Sequence, residues 1–353
     1  MSDLDFARVL TALHRGQPDR VPVAEVWVDP EVKDAFLGRR LTTLKDDVEF
    51  WVQAGFDFIA IDTDLYAAPA IQDRLVRPLE NTAHMYTGAR HDRGWVGSAA
   101  AVIRHRDDLE RFAWPRAEDI DLSVYDHLPA LLPRSMKVIV TIGHVFTGAW
   151  QLMGFEAFCM TLLDDRALVL EVIRRLGSET LRLLDRVLEH DVVGAICLQD
   201  DIAYTNGLMV SLPMLRQIFF PWLATAVQRC HAAGRPVILH SDGDVLQAIP
   251  ELVGCGIDAL HPIEPKCMDI AAVKRTYGHQ LALLGNLDLG YTLTRGTAAE
   301  VRQAVLELMR DVAPGGGFLL GSANSITNYV PLDNFRAMLS AAAEFGRYPI
   351  SIA

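Results

Sequence analysis

The most chemically pointed run in the chain is His-Ser-Asp-Gly-Asp at 240–244. His240 and Asp242 stand two apart, and on extended backbone residues i and i+2 share a side. An imidazole beside a carboxylate can hold a divalent metal, or it can act without metal as a hydrogen-bonded pair that organises a substrate. Glu264, closing the next apolar run, can supply a third ligand, and His261 can orient one. Other short apolar runs end in the same manner: at Asp29, at Asp62 and Asp64, at His144, at Gln199, Asp200 and Asp201, at Asn286 and Asp288, and at Ser322 and Asn324. Besides Asp29, seven of these residues are acids (Asp62, Asp64, Asp200, Asp201, Asp242, Glu264, Asp288), and no Lys or Arg shares the run ends. A ring of that sign attracts a cation, a metal or a neutral polar ligand and repels a polyanion. Crowded carboxylates also raise one another's pKa, which suits a general acid. An acid after a strand can equally be the N-cap of the next helix, and that plainer role stands open for Asp200 or Asp201 and for Asp288.

The elements that must position these residues alternate strand and helix. Eight apolar runs recur, at 21–27, 57–62, 136–143, 192–199, 235–241, 257–263, 280–286 and 317–322, each followed by a helical pattern. Near-continuous apolar runs are what a parallel sheet under a layer of helices requires. Eight alternating units predict an α/β fold, a (β/α)8 TIM barrel, as one domain over 1–353 with an N-terminal helix at about 4–14. In such a barrel the strand ends above would face one another across the C-terminal mouth. The span 66–135 is too long for one crossover, and its segment 84–97, HMYTGARHDRGWVG, reads as a hairpin-like excursion inserted between strands 2 and 3. Thr297 with Glu300 forms a capping box for 298–312, Ser211 N-caps the helix at Pro213, and Pro331 and Gly346 bracket 332–345. A doubly wound open sheet would announce itself with a glycine-rich loop after the first strand; here that strand runs into VDPEVKD.

The bulk properties fit a cytoplasmic enzyme acting on a small molecule. Half of the 353 residues are hydrophobic and 22% are charged, with a formal net charge of −12, which argues against nucleic acid. The N-terminus has no apolar signal core, and no long uncharged apolar stretch predicts a membrane span. The five cysteines are scattered, without a CxxC pair, as expected of free thiols in a reducing compartment. Trp150, with Phe146 and Phe155, follows the third strand and can wall a pocket or serve as core. The glycines at 315–317 read as a turn.

From His240 onward the chain resembles the uroporphyrinogen decarboxylase-like superfamily. HSDGD, IPELVGCGIDALHPIEP, MDI, GNLD, RGT, PGGGFLLGS and VPLDN fall in family order, and DFIAIDTDL and GHVFTGAWQLMGFEAF match upstream. The resemblance covers nearly the whole chain and implies a (β/α)8 barrel. Decarboxylases of the family carry an arginine-rich RQAGR motif; the matching region here, HRGQPDRVPVAEVW, lacks it. Their pyrrole-binding Asp matches Asp64, and their late histidine falls at Asn324. Methyltransferase members bind zinc through His-x-Cys and a later Cys, and pass methyl groups to or from a corrinoid protein or a thiol. His240 matches that histidine, while Asp242 and Asn324 stand where the cysteines would be. Such a set is harder; it would hold zinc less tightly, or hold another divalent ion, and could still act as a Lewis acid on an oxygen of a methyl donor.

The resemblance therefore implies a methyltransferase-type enzyme that demethylates a small methylated substrate with a corrinoid carried by a partner protein, and a homodimer, since family members often pair. On this reading His240, Asp242 and Glu264 hold the metal, and Asp64, His144 and Glu264 act in catalysis. Asp62, Trp150, Asp200, Asp201, His261, Asn286, Asp288 and Asn324 position substrate. The rival readings are uroporphyrinogen decarboxylation and a barrel that only binds a ligand or a partner.

Overall fold

The computed structural model describes residues 4–65, 68, 76–78, 94–96 and 101–351. Its centre is a parallel sheet of β1 (Phe58–Asp62), β2 (Lys137–Gly143), β3 (Val193–Gln199), β4 (Val237–His240), β5 (Ala259–His261), β6 (Ala282–Leu287) and β7 (Phe318–Ser322). The order across the sheet is the order along the chain. β2 to β7 are buried along nearly their whole length, which explains their unbroken apolar sequence. Helices on the outer side return the chain each time, among them Arg166–Leu188, Phe220–Ala232, Ile249–Cys255, Ile270–Tyr277 and Ala298–Asp311. The last of these opens on the Thr297–Glu300 capping box, with both reciprocal bonds formed.

The expected first strand, 21–27, behaves differently. Among the described residues it forms no continuous ladder; it follows β7 through isolated parallel bridges at Val23–Leu320 and Val28–Ile326. Pro22 has no N–H to give, although its carbonyl accepts from Leu320 and the Ala24 N–H returns to Leu320 O. One step further, the Glu25 side chain takes the Ser322 N–H at 2.7 Å in place of a backbone carbonyl. The regular sheet thus has seven strands, with an irregular segment where the eighth was expected.

Helix Phe6–Leu13 closes the N-terminal end. Gly194, near the start of β3, leaves room for the Phe6 ring, which a Cβ there would approach to 2.4 Å. In the long connection after β1, 76–78 pairs antiparallel with 94–96, and helices Arg106–Arg111 and Val124–Leu131 lead into β2. Residues 84–93 and 97 of the expected excursion lie outside the described residues. Among the described residues no helix is long and apolar enough to cross a membrane.

Register decides what the sheet can do. Asp62 pairs with Thr141, Gly143 with Gln199, Gln199 with His240, and His240 with His261. At the far side, Leu287 pairs with Ser322. The C-terminal ends of the strands therefore lie at one level, and the loops that follow them meet above it.

Candidate functional site

His240 ends β4, and its Nε2 lies 3.9 Å from Oδ1 of Asp201 and 3.7 Å from Oδ1 of Asp242. One ligand atom from each of the three residues lies within 4.8 Å of the others. The Asp242 N–H donates to Asp201 Oδ1 at 2.9 Å, which ties the loop after β3 to the loop after β4. Asn324, from the loop after β7, sets its Nδ2 at 2.9 and 2.7 Å from the two Asp242 oxygens. Burial raises the Asp242 pKa; the Asp201 and Glu264 carboxylates add to this, and His240 and Asn324 oppose it. A cation held among these oxygens would remove that repulsion.

Behind His240 stands His261, fully buried, with the two Nδ1 atoms 2.7 Å apart. One proton serves that contact. When it sits on His240, Nε2 is bare and faces the two carboxylates, the tautomer that a metal ligand needs. Burial, reinforced by His240, lowers the His261 pKa well below its usual value, so this second ring is neutral.

A second dyad sits at the end of β2. Asp64, 3% exposed, accepts the Gly143 N–H at 2.8 Å and lies 3.0 Å from His144 Nδ1. Gly143 runs so close to β3 that a Cβ would lie 2.2 Å from Gln199 O, and His144 follows with a left-handed φ of 54°. Burial alone would lower the His144 pKa; Asp64, with Asp200 and Asp62, overcomes it and raises the value to about 9. His144 is therefore an imidazolium at neutral pH. Asp62 opens into the mouth and accepts from Thr141 Oγ1 at 2.8 Å. The protein mass around it, and Asp64 beside it, push its pKa up to about 6.

Other acids have backbone duties. Asp200, 1% exposed, accepts the N–H groups of Val145, Phe146 and Thr147 at 2.8, 2.9 and 2.6 Å and so pins the start of helix Phe146–Met153. Burial raises its pKa to about 6 against those donors. Asp288 accepts from Gly290, Tyr291 and Thr292 and caps the short helix Thr292–Arg295. Glu264 accepts the Gly243 N–H at 2.9 Å, because Gly243, at φ 82°, turns the loop back towards β5. The third member of the three-residue cluster is thus Asp201, where the spacing pointed to Glu264. Buried Asn286 donates to Ile263 O. Trp150 packs edge-on against Phe155, which meets Tyr204 in the same way.

Over His144 and His240 lies a cavity of ≈ 200 Å³, lined also by Val26, Trp27, Asp62, Gln199, Asp200, Asp201, Asn324 and Ser325. Sequence reasoning gave Val26 and Trp27 no part in it. The run of apolar residues around Glu25 hid them, and a lone acid in that run was the one signal available. The arrangement offers a cation site and a proton donor to one small cavity.

Comparison with known proteins agrees with this architecture. Residues 98–345 match the family model for uroporphyrinogen decarboxylase (URO-D). The methylcobamide:CoM methyltransferase MtaA of Methanosarcina barkeri is 27% identical over 147 residues, 41% of this chain and 42% of that protein, so the match spans less than half of that relative's length. A solved methyltransferase from Methanosarcina mazei superposes with a TM-score of 0.64 at 19% identity, over 96% of this chain and 98% of the other.

Proposed function

Because the chain belongs to the uroporphyrinogen decarboxylase family, we propose that it is a methyltransferase-type member that demethylates a small substrate and passes the methyl group to a corrinoid on a partner protein. The observation that carries this reading is the cluster of His240, Asp201 and Asp242, of which His240 and Asp201 line the same cavity as cationic His144. The methyltransferase relative, named for transfer between a methylcobamide and CoM, supports the reaction class. In this reading residues 1–353 form one domain, and 20–28 is the eighth stave of a barrel.

The donor set fits a divalent ion: His240 Nε2 and one carboxylate oxygen each from Asp201 and Asp242 would hold it. When bound, the ion supplies Lewis acidity towards the heteroatom that carries the methyl group. Two carboxylates and an imidazole make a hard set, better matched to an oxygen or nitrogen donor than to a thiol. Asn324 holds Asp242 in place, and His261 holds the His240 ring. As the methyl group leaves, the bonding pair stays on the oxygen or nitrogen, which takes a proton from His144; Asp64 keeps that imidazole oriented.

Two measurements test this. Purified protein is expected to carry stoichiometric divalent metal that His240→Ala loses, and to methylate cob(I)alamin, followed by its absorbance, from a methoxy or N-methyl donor in a panel. A folded, metal-free wild type that is inert with the whole panel would refute the proposal. Decarboxylation is the weaker reading. Asp64, which would hold pyrrole N–H groups, already accepts from Gly143, and no Lys or Arg is among the described residues lining the His240 cavity. Coproporphyrinogen formed from uroporphyrinogen would install it instead.

A further inference from the structure

Gln199 closes β3 between the two reactive centres of the cavity. Register sets it beside Gly143 on one side and His240 on the other, and it lines the cavity together with His144 and His240. The direction of its side chain follows from the row below. Asp62, Thr141 and Cys197 are register partners, and Thr141 Oγ1 donates to Asp62 Oδ1 at 2.8 Å, so this row faces the side on which Asp62 lines the cavity. Gln199 stands two residues beyond Cys197 on the same strand and points the same way. Gly143 beside it carries no side chain, which leaves the amide room on that flank. The strand end is fixed in advance: His144 N–H donates to Gln199 O at 2.7 Å, and Asp200 N–H to His240 O at 3.0 Å.

The amide itself is uncommitted. Gln199 is half-buried, and among the described residues its Oε1 and Nε2 meet no hydrogen-bond partner. The other neutral polar side chains of the lining are already engaged. Asn324 gives Nδ2 to Asp242 and takes the Ser325 hydroxyl on Oδ1, and Trp27 gives its Nε1–H to Asp29. The acids and imidazoles have the partners described above. A side-chain amide offers two N–H donors and a carbonyl acceptor, and a few such polar groups on a cavity wall fix the orientation of a ligand.

Charge selects the group that this amide meets. A carboxylate would face Asp62 and Asp201, and an ammonium would face the His144 imidazolium. A hydroxyl meets neither penalty, and it can donate to Oε1 or accept from Nε2.

We propose that Gln199 is a specificity-determining residue whose amide binds a hydroxyl of the methyl donor, while the methylated oxygen lies between the His240 cluster and His144. The substrate class is then a small, neutral, hydroxylated methyl ether. This rests on the demethylase reading for the reacting end only; the hydroxyl binds at Gln199 whether or not methyl transfer occurs.

The test uses the full-length protein and two probes of one shape, 2-methoxyethanol and 1-methoxypropane, with binding read by saturation-transfer NMR titration. Wild type is expected to bind the alcohol about three- to tenfold more tightly, the size of one neutral hydrogen bond. Gln199→Met keeps the length of the side chain and removes both hydrogen-bonding ends. It is expected to abolish or reverse the preference while the affinity for 1-methoxypropane holds or rises, and Gln199→Leu, read in parallel, is expected to do the same. A purely structural role for Gln199 would weaken both probes together. Equal affinity of the wild type for the two probes, binding of neither, a preference that survives either substitution, or a loss shared by both probes overturns the proposal. None of these outcomes bears on metal content or on methyl transfer to cob(I)alamin, so the two readings fail separately.

Discussion

Replacing Glu25 by Gln will stabilise the protein at neutral and alkaline pH and change little in acid. Glu25 is fully buried between the irregular segment and β7, where its two oxygens meet Ser322 N–H and Oγ, both at 2.7 Å. Burial raises its pKa from 4.5 to about 8, against the two Ser322 bonds. Here the folded value lies above the unfolded one, the reverse of a salt-bridged carboxylate. Between these values the folded state keeps a proton that the unfolded state has released, so stability falls as pH rises from about 4.5 and levels off above about 8. At 1.36 kcal/mol per pH unit, the wild type has lost about 3 kcal/mol by pH 7. Gln reproduces the neutral acid: Oε1 accepts the Ser322 N–H, and Nε2 donates to Ser322 Oγ. Its stability is free of this dependence. For a chain of this size the difference at pH 7 corresponds to a Tm higher by roughly 4 °C. Thermal unfolding of both proteins from pH 4.5 to 9 would show two curves that coincide in acid and diverge with rising pH. Parallel curves, or a variant weaker throughout, would refute the reasoning. Val26 and Trp27 line the His240 cavity from the same segment, so Glu25 also bears on how that wall is held.

Two further outcomes follow from the second dyad. Asp64→Asn removes the leading influence that raises the His144 pKa to about 9, so burial, now opposed only by Asp200 and Asp62, moves it down. A His144 Cε1–H resonance titrating near 9 in both proteins would contradict this. Gly143→Ala places a methyl 2.2 Å from Gln199 O. It is expected to cost about 1–3 kcal/mol by denaturant unfolding and, on the proposed function, to raise KM for the methyl donor through a displaced His144; wild-type stability would show that β2 and β3 can part there.

Much of the frame was legible. Strands predicted at 136–143, 192–199 and 317–322 appear at Lys137–Gly143, Val193–Gln199 and Phe318–Ser322, because a strand buried on both faces needs apolar residues throughout and leaves that record. The 21–27 run has the same composition and no regular ladder, since composition does not reveal that a glutamate will take the place of a backbone acceptor. The site was readable as a set of strand ends, and less so as pairings. Glu264 and Asp201 are both acids just past a strand, and the choice between them at His240 is made by Gly243, whose turn delivers an N–H to Glu264.

The carboxylates of the mouth sort by what they accept, and this sorting assigns their work. Asp64, Asp200, Asp288 and Glu264 each take backbone N–H groups and hold a loop or a helix start in place. Asp201 takes one N–H, from Asp242, on the same Oδ1 that lies towards His240. Asp242 takes only an amide from Asn324, and Asp62 a hydroxyl from Thr141. The mouth is therefore less negative than its count of acids implies, and the negative charge left over is concentrated where Asp201 and Asp242 face His240. A cation gains most there, while His144 across the same cavity is already positive and needs none. A cation held at the cluster would stand across one small cavity from a proton donor, the separation that the proposed cleavage of a methyl–heteroatom bond would use.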